Sequence, residues 1–311
     1  MNIIRKFKVL INSRKLFKNW LSAGIKYYLV KYGLIKDGIN IRCNDREYIL
    51  SSKAYSSIIS NYYGGALKGI ECREVIVTIT DVGFDISFIN DYVEFTYNDK
   101  NIRFKDSFEF LNDIIFENFI GGAYDDVDVI GKTVVDVGAG VGDTAILFSL
   151  RGAKKVIALE PYYSLYKKAL TNIKINSIEN NIILLNAGLG SFDGEVCAEL
   201  NNVNNYILFR PGSRCDHMVR VYTLESLVKE FEIDNEAILK VDCEGCEYET
   251  ILNTKPEVLR IFDQIVIEYH NGYAELKRVL ENAGFKTAIK PIRSVVQPIE
   301  VQGYIIARLK A

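Results

Sequence analysis

From about Ile130 onward the chain alternates between short apolar runs and longer amphipathic ones, and this alternation narrows its possible folds more than any other feature. The runs Thr133–Val137, Lys155–Leu159, Ile182–Leu185, Ile238–Val241, Gln264–Tyr269, Phe285–Ile289 and Gly303–Leu309 have the length and composition of strands. Between them, Asp143–Leu150, Ser164–Asn176, Leu224–Phe231, Glu247–Leu252 and Tyr273–Asn282 are spaced as helices. Buried apolar strands joined by helices call for a parallel sheet with right-handed crossovers. Ligands of such sheets bind beyond the carboxyl ends of the strands, which directs attention to Asp136, Glu160, Asn186, Asp242 and His270.

The first of these strand ends carries the sharpest motif, Val134-Val135-Asp136-Val137-Gly138-Ala139-Gly140-Val141-Gly142-Asp143-Thr144. Glycines between a buried strand and a helix let the backbone turn tightly and come close to a ligand. A dinucleotide fingerprint would need its third glycine at position 143, where Asp143 stands, and no phosphate loop of the G-x-x-x-x-G-K-[ST] type is present. An acid at Asp136 would repel a pyrophosphate but suits the ammonium of a methionine moiety, directly or through water. Twenty residues after Gly140, Glu160 closes the second strand, where a carboxylate accepts both hydroxyls of a ribose. The spacing D-x-G-x-G-x-G followed by this acid favours S-adenosylmethionine over a nicotinamide dinucleotide. Asn186, at the end of the third strand, is expected either beside adenine or in a turn.

The segments before residue 130 read differently. Met1 to Lys36 holds nine Lys or Arg and no acid, with apolar residues at Ile4, Phe7, Ile11, Phe17, Trp20 and Tyr28 in an imperfect helical stripe. Such a segment packs on the main domain with its lysines in water, or rests peripherally on an anionic membrane; the packed form is the expectation. Its apolar run is too short for a signal-peptide core or a membrane span. From Ile39 to Phe104 β-type runs follow (Ile39–Arg42, Tyr48–Leu50, Val75–Thr80, Val93–Tyr97, Ile102–Phe104), with hairpin signals at Asn44-Asp45 and Asn98-Asp99. The aromatic residues of this region, among them Tyr55, Phe95 and Tyr97, line a pocket or fill a core.

Composition sets broad limits. With 49% hydrophobic residues the chain can build a core, and a net charge of -2 offers polyanions no general attraction, so nucleic acid is not expected as a partner. The six unevenly spaced cysteines suggest reduced thiols and a cytoplasmic protein. The sequence does not disclose an oligomeric state.

The fourth strand leads into Leu239-Lys240-Val241-Asp242-Cys243-Glu244-Gly245-Cys246-Glu247. This L-K-x-D-x-E-G-x-E pattern, together with the glycine motif, the Ile267-Glu268-Tyr269-His270 strand end and the Leu276…Leu280…Gly284-Phe285 segment, resembles the FkbM family of methyltransferases over roughly residues 110 to 310. The resemblance implies an α/β Rossmann-like class I methyltransferase fold with a seven-stranded, mostly parallel sheet, and S-adenosylmethionine as methyl donor. It also implies O-methylation of a sugar, glycan or small natural product. The expected organisation is a basic helical segment (1–36), a β-rich subdomain (37–110) and the methyltransferase domain (111–311). The sequence departs from the family at Cys243 and Cys246, which are expected to be small packing residues.

Asp136, Gly138, Gly140, Gly142, Asp143, Glu160, Asn186 and Asp242 are the expected cofactor-binding residues. Transfer to an alcohol needs a group to take its proton, and a neutral imidazole at His270 is the first expectation, with Asp242 second. Glu244, Glu247, Glu268 and Tyr124 are expected to face the substrate or brace the site. No metal is expected to be required; the rival within the class has Asp242, Glu244 and Glu268 holding Mg²⁺. A nicotinamide oxidoreductase and a noncatalytic cofactor-binding protein are the readings outside it.

Overall fold

The computed structural model describes residues 11, 13–43, 45–64, 67–72, 76–80, 85–89, 92–107, 112–119, 121–197, 218–292 and 301–310. The chain divides into two compact units, Met1–Gly121 and Gly122–Ala311.

The first unit contains helix α1 (Trp20–Lys31), the hairpin of β1 (Ile39–Cys43) and β2 (Arg46–Leu50), and helix α2 (Ser52–Gly64). A five-stranded antiparallel meander follows: β3 (Leu67–Cys72), β4 (Ile76–Thr80), β5 (Asp85–Ile89), β6 (Tyr92–Tyr97) and β7 (Lys100–Lys105). The alternation of β1 buries Ile39, Ile41 and Cys43 on one face. Asn98 and Asp99 both have positive φ, 48° and 60°, as a tight hairpin turn between β6 and β7 demands. Tyr55, Phe95 and Phe104 are core residues, with Phe17 stacked on Tyr55 at 5.8 Å between centroids. In the basic segment Phe17 is buried, whereas Leu21 and Ile25 of α1 are exposed; Ile4 and Phe7 lie outside the described residues. Among the described residues no helix is long and apolar enough to cross a membrane.

Sequence reasoning missed α2, β3 and β5. Helix α2 buries Ala54, Tyr55, Ile58 and Ile59, a clear helical face. Its Ile and Tyr content favours strands in isolation, and packing overrides that preference.

The second unit is built on a seven-stranded sheet. In chain order its elements are β8 (Thr133–Val137), α3 (Asp143–Leu150), β9 (Lys155–Leu159), α4 (Tyr163–Ile175) and β10 (Ile182–Leu185). Next come the small strands β11 (Ala187–Leu189), β12 (Gly194–Cys197) and β13 (Met218–Tyr222), which form a separate three-stranded sheet. Helix α5 (Leu224–Glu230) then leads to β14 (Ala237–Val241), α6 (Cys246–Asn253), α7 (Pro256–Leu259), β15 (Phe262–Tyr269), α8 (Ala274–Asn282), β16 (Phe285–Pro291) and β17 (Gly303–Leu309).

The sheet order is β10-β9-β8-β14-β15-β17-β16. Pairs from β10 through β15 are parallel, while β17 inserts antiparallel between β15 and β16. Strands β8 and β14 are buried at every position because helices cover both faces of the sheet. The chain leaves β8 toward β9 on one side and returns to β14 on the other. That reversal opens a crevice beyond the carboxyl ends of β8 and β14.

The cysteines do not follow the expectation of free thiols. Cys243 and Cys246 form a disulfide with 5.5 Å between their Cα atoms, and Cys43 and Cys197 each take part in a disulfide of their own. A three-residue separation at a turn brings two Cβ atoms within bridging range, so Cys243 and Cys246 staple the loop and are not mere packing residues.

Candidate active site

Three of the strand ends supply the cofactor side of the crevice. After β8 the chain turns at Gly138, whose φ is +77° and where a Cβ would stand 1.7 Å from the Asp242 carbonyl oxygen. Only glycine lets the two loops meet so closely. A Cβ at Gly142 would meet the Ala169 Cα at 3.2 Å, so this glycine sets the approach of α4 to the start of α3. The Gly140 N–H donates to Glu160 Oε2 (2.8 Å) and the Tyr162 N–H to Glu160 Oε1 (2.8 Å). Asn172, fully buried, ties the loop down by donating to the Val141 carbonyl at 2.9 Å.

Glu160 is 3% exposed, and burial raises its pKa to about 8 despite the two backbone N–H groups and the nearby positive charge of Lys240. A carboxylate has about four acceptor positions, so two remain for other donors. Asn186 spends its amide on the Glu160 and Pro161 carbonyls (2.9 and 3.0 Å), shaping the turn behind the acid.

Asp136 is completely buried, and its partners are internal. Thr144 Oγ1 donates to Oδ2 at 2.7 Å and the Lys240 ammonium lies 2.9 Å from Oδ1. Lys240, the penultimate residue of β14, also donates to the Gly138 carbonyl at 3.0 Å and sits 3.9 Å from Asp242 Oδ2. Burial opposes its charge, but Asp136 and Asp242 outweigh that and raise its pKa. Asp136 is therefore ion-paired within the core, and Asp242 is the more open of the two acids. Tyr124, expected as a supporting residue, is buried with its ring 5.9 Å from the Lys240 ammonium; burial, then the charge of Asp242, holds its hydroxyl well above the usual phenol range. Asp143 opens α3, buried, in the first turn.

Beyond β14 and β15 lies the acidic side. Glu244 adopts φ +57° and Gly245 φ +125°, the turn held by the Cys243–Cys246 disulfide. Glu247, fully buried in α6, accepts the Gly245 N–H at 2.7 Å and holds His270 Nδ1 at 2.9 Å. His270 Nε2 then points at three carboxylates, with Glu244 Oε2 at 3.6 Å, Glu268 Oε1 at 3.7 Å and Asp242 Oδ1 at 4.0 Å. Gln302, just before β17, donates to Glu268 Oε1 at 3.0 Å.

Burial works against a charged imidazole, but the Glu247 hydrogen bond and the charges of Glu244, Glu247 and Glu268 raise the His270 pKa to about 9. A neutral imidazole is the expectation from sequence at pH 7; the carboxylates around His270 favour its charged form. Glu244 moves the other way from an ordinary surface acid: burial, then the charges of Asp242 and Glu247 against that of His270, raise its pKa.

The expected residues therefore fall into two clusters at one edge of the sheet, glycine loop with Glu160 and Asp242 with Glu244, Glu268 and His270. Lys240, Thr144, Asn172 and Gln302 were not assigned roles from the sequence. Lys240 could have been: a lysine inside an apolar parallel strand is buried, and a buried lysine needs a carboxylate partner.

Sheet order, switch point and glycine turn define a Rossmann-like fold of the class I methyltransferase type. Residues 136–287 match the model of the methyltransferase FkbM domain. No curated protein matches the chain. Among solved structures it is similar to a precorrin-6y C5,15-methyltransferase from Geobacter metallireducens GS-15, at 15% identity over 58% of this chain and 82% of that one, TM-score 0.34. It is also similar to magnesium protoporphyrin IX methyltransferase from Synechocystis PCC 6803 with bound SAM, at 12% identity, 62% and 77% coverage and TM-score 0.38. A third is a ribosomal protein L11 methylase from Lactobacillus delbrueckii subsp. bulgaricus, at 16% identity, 60% and 74% coverage and TM-score 0.36. S-adenosylmethionine is the cofactor that goes with the domain, and the crevice suits it: a buried carboxylate with spare acceptor positions faces a turn made of backbone N–H groups.

Proposed function

We propose that this chain methylates a hydroxyl group of a sugar, glycan or small natural product. The observation that carries the reading is the convergence of Asp242, Glu244, Glu268 and His270 beside the glycine turn. Such a set can hold a polyhydroxylated acceptor by several hydrogen bonds and take a proton from one of its oxygens.

When bound, S-adenosylmethionine supplies an electrophilic sulfonium methyl. Glu160 would accept hydrogen bonds from its ribose hydroxyls, and Asp242 would lie toward its ammonium end. Transfer of that methyl to the acceptor oxygen would leave the hydroxyl proton to be taken up by a side chain of the site. Glu244 takes that proton in this scheme, because its raised pKa makes it a stronger base than an ordinary carboxylate. His270, held by Glu247, orients the carboxylates and the acceptor between them.

The test combines binding and transfer. Calorimetry should give saturable binding of S-adenosylmethionine and none of NAD. Glu160→Ala should weaken that binding by about 1.5–3 kcal/mol, the range for hydrogen bonds to charged groups. With methyl-labelled donor and a panel of glycans and alcohols, label should appear as a base-stable methyl ether. Label found only on nitrogen or carbon acceptors overturns the hydroxyl assignment.

A further inference from the structure

We propose that Asp242, Glu268 and His270 form a binding site for one divalent cation of the Mn²⁺ type. One oxygen of each acid and one ring nitrogen of the histidine all lie within 4.8 Å of one another. Ligands about 2.1 Å from an octahedral ion are about 3.0 Å apart when adjacent and about 4.2 Å when opposite. His270 Nε2 stands 3.7 Å from Glu268 Oε1 and 4.0 Å from Asp242 Oδ1, so the three groups need to draw together by roughly 1 Å to take adjacent positions on one ion.

The histidine itself points to a ligand, independently of the acids. Its side chain is only 10% exposed, yet Nε2 comes no closer than 3.6 Å to any of the three carboxylates around it, beyond hydrogen-bonding distance. The other ring nitrogen is held at 2.9 Å by Glu247, which is itself fully buried. A histidine fixed through Nδ1 by a buried carboxylate, with Nε2 presented to further acids, is the arrangement in which imidazole ligates a metal. Glu268 is fixed in turn by Gln302.

Charge argues the same way. Four carboxylates (Asp242, Glu244, Glu247 and Glu268) surround one imidazole, and the nearest lysine, Lys240, is 3.9 Å from Asp242 but 2.9 Å from Asp136. A cation bound at Nε2, displacing any proton there, offsets the repulsion among them. Two carboxylates and one imidazole suit an ion that takes both oxygen and nitrogen, which favours Mn²⁺ over Ca²⁺ or Mg²⁺. Glu244 is left outside the ligand set and free to act on the acceptor. The cation's part in the reaction, lowering the pKa of a bound hydroxyl, rests on the hydroxyl-methylation reading; its binding does not.

The experiment uses the full chain stripped of metal with chelator and titrated with MnCl₂, read by electron paramagnetic resonance and calorimetry. One Mn²⁺ should bind per chain, with nitrogen modulation from the imidazole in the electron spin echo. His270→Gln should abolish that modulation and weaken binding at least tenfold, and Glu268→Gln should weaken it similarly. Glu247→Gln, which touches no ion, should cost about 10–100-fold. Thermal melts establish that each variant is folded, and Glu160→Ala should bind Mn²⁺ as the parent does. Absence of saturable binding, or binding unchanged in both His270→Gln and Glu268→Gln, overturns the cation site. Hydroxyl methylation that persists in that case leaves the proposed function standing; Mn²⁺ bound through His270 without any hydroxyl methylation supports the cation site and counts against that function.

Discussion

Binding of S-adenosylmethionine should release a proton, and the amount is set by one residue. Glu160 has its pKa raised from 4.5 to about 8 by burial, so the free protein at pH 7 keeps it roughly nine-tenths protonated, and at pH 9 about one-tenth. Ribose hydroxyls donate to the ionised carboxylate and so favour loss of that proton. Binding should then release about 0.9 proton at pH 7 and about 0.1 at pH 9, and Kd should fall about tenfold between pH 6 and 7 and level off above 8. Calorimetry in two buffers of different ionisation enthalpy counts the protons, and Glu160→Gln should abolish the buffer dependence. A Kd independent of pH from 6 to 9, with no buffer dependence at pH 7, refutes the reasoning.

The free protein provides a second reading of the same carboxyl. Its folded pKa lies above its unfolded one, so folding takes up a proton between pH 4.5 and about 8. The associated stability is full below 4.5 and is lost as pH rises through 8, a change of about 5 kcal/mol that Glu160→Gln should remove. Gly138→Ala forces a Cβ to within 1.7 Å of the Asp242 carbonyl at a left-handed φ, and should destabilise the fold by at least about 3 kcal/mol in urea titration, with loss of cofactor binding. Lys240→Met leaves Asp136 buried without its ion partner and should cost about 3–5 kcal/mol; a loss under about 1 kcal/mol would contradict the ion pair. Cys243 and Cys246 should resist alkylation until a reductant is added and then both react, as peptide mass spectrometry would record; alkylation without reductant would contradict the bridge.

The strands of the second unit were legible because their apolar runs are uninterrupted and their helices keep a helical period, so β8, β9, β10 and β17 have the bounds expected of them. Helix α7 was missed: at Pro256–Leu259 it is too short to show a period. The strand ends named from topology do meet at one edge, since parallel strands present their carboxyl ends together. What sequence could not supply was the pairing among charges. Whether Asp136 meets a ligand or Lys240, and whether His270 is neutral or charged, depends on neighbours about a hundred residues away in one case and four carboxylates in the other. The disulfide likewise depends on the local turn, which spacing alone leaves open.

The insertion of β17 between β15 and β16 has a consequence for how the protein is made. Strand β15 contributes Glu268 and leads into His270, yet its outer neighbour is the last strand of the sheet, and Gln302 beside that strand holds Glu268. A ribosome adds about 5–20 residues per second, so the earlier strands emerge seconds before this partner does. Until residues 303–309 are available, β15 has an open edge and β16 has no strand to pair with. The acceptor side of the crevice is thus completed by the last part of the sheet to be synthesised, and a nascent chain can hold its glycine turn and Glu160 in place before it can hold Glu268.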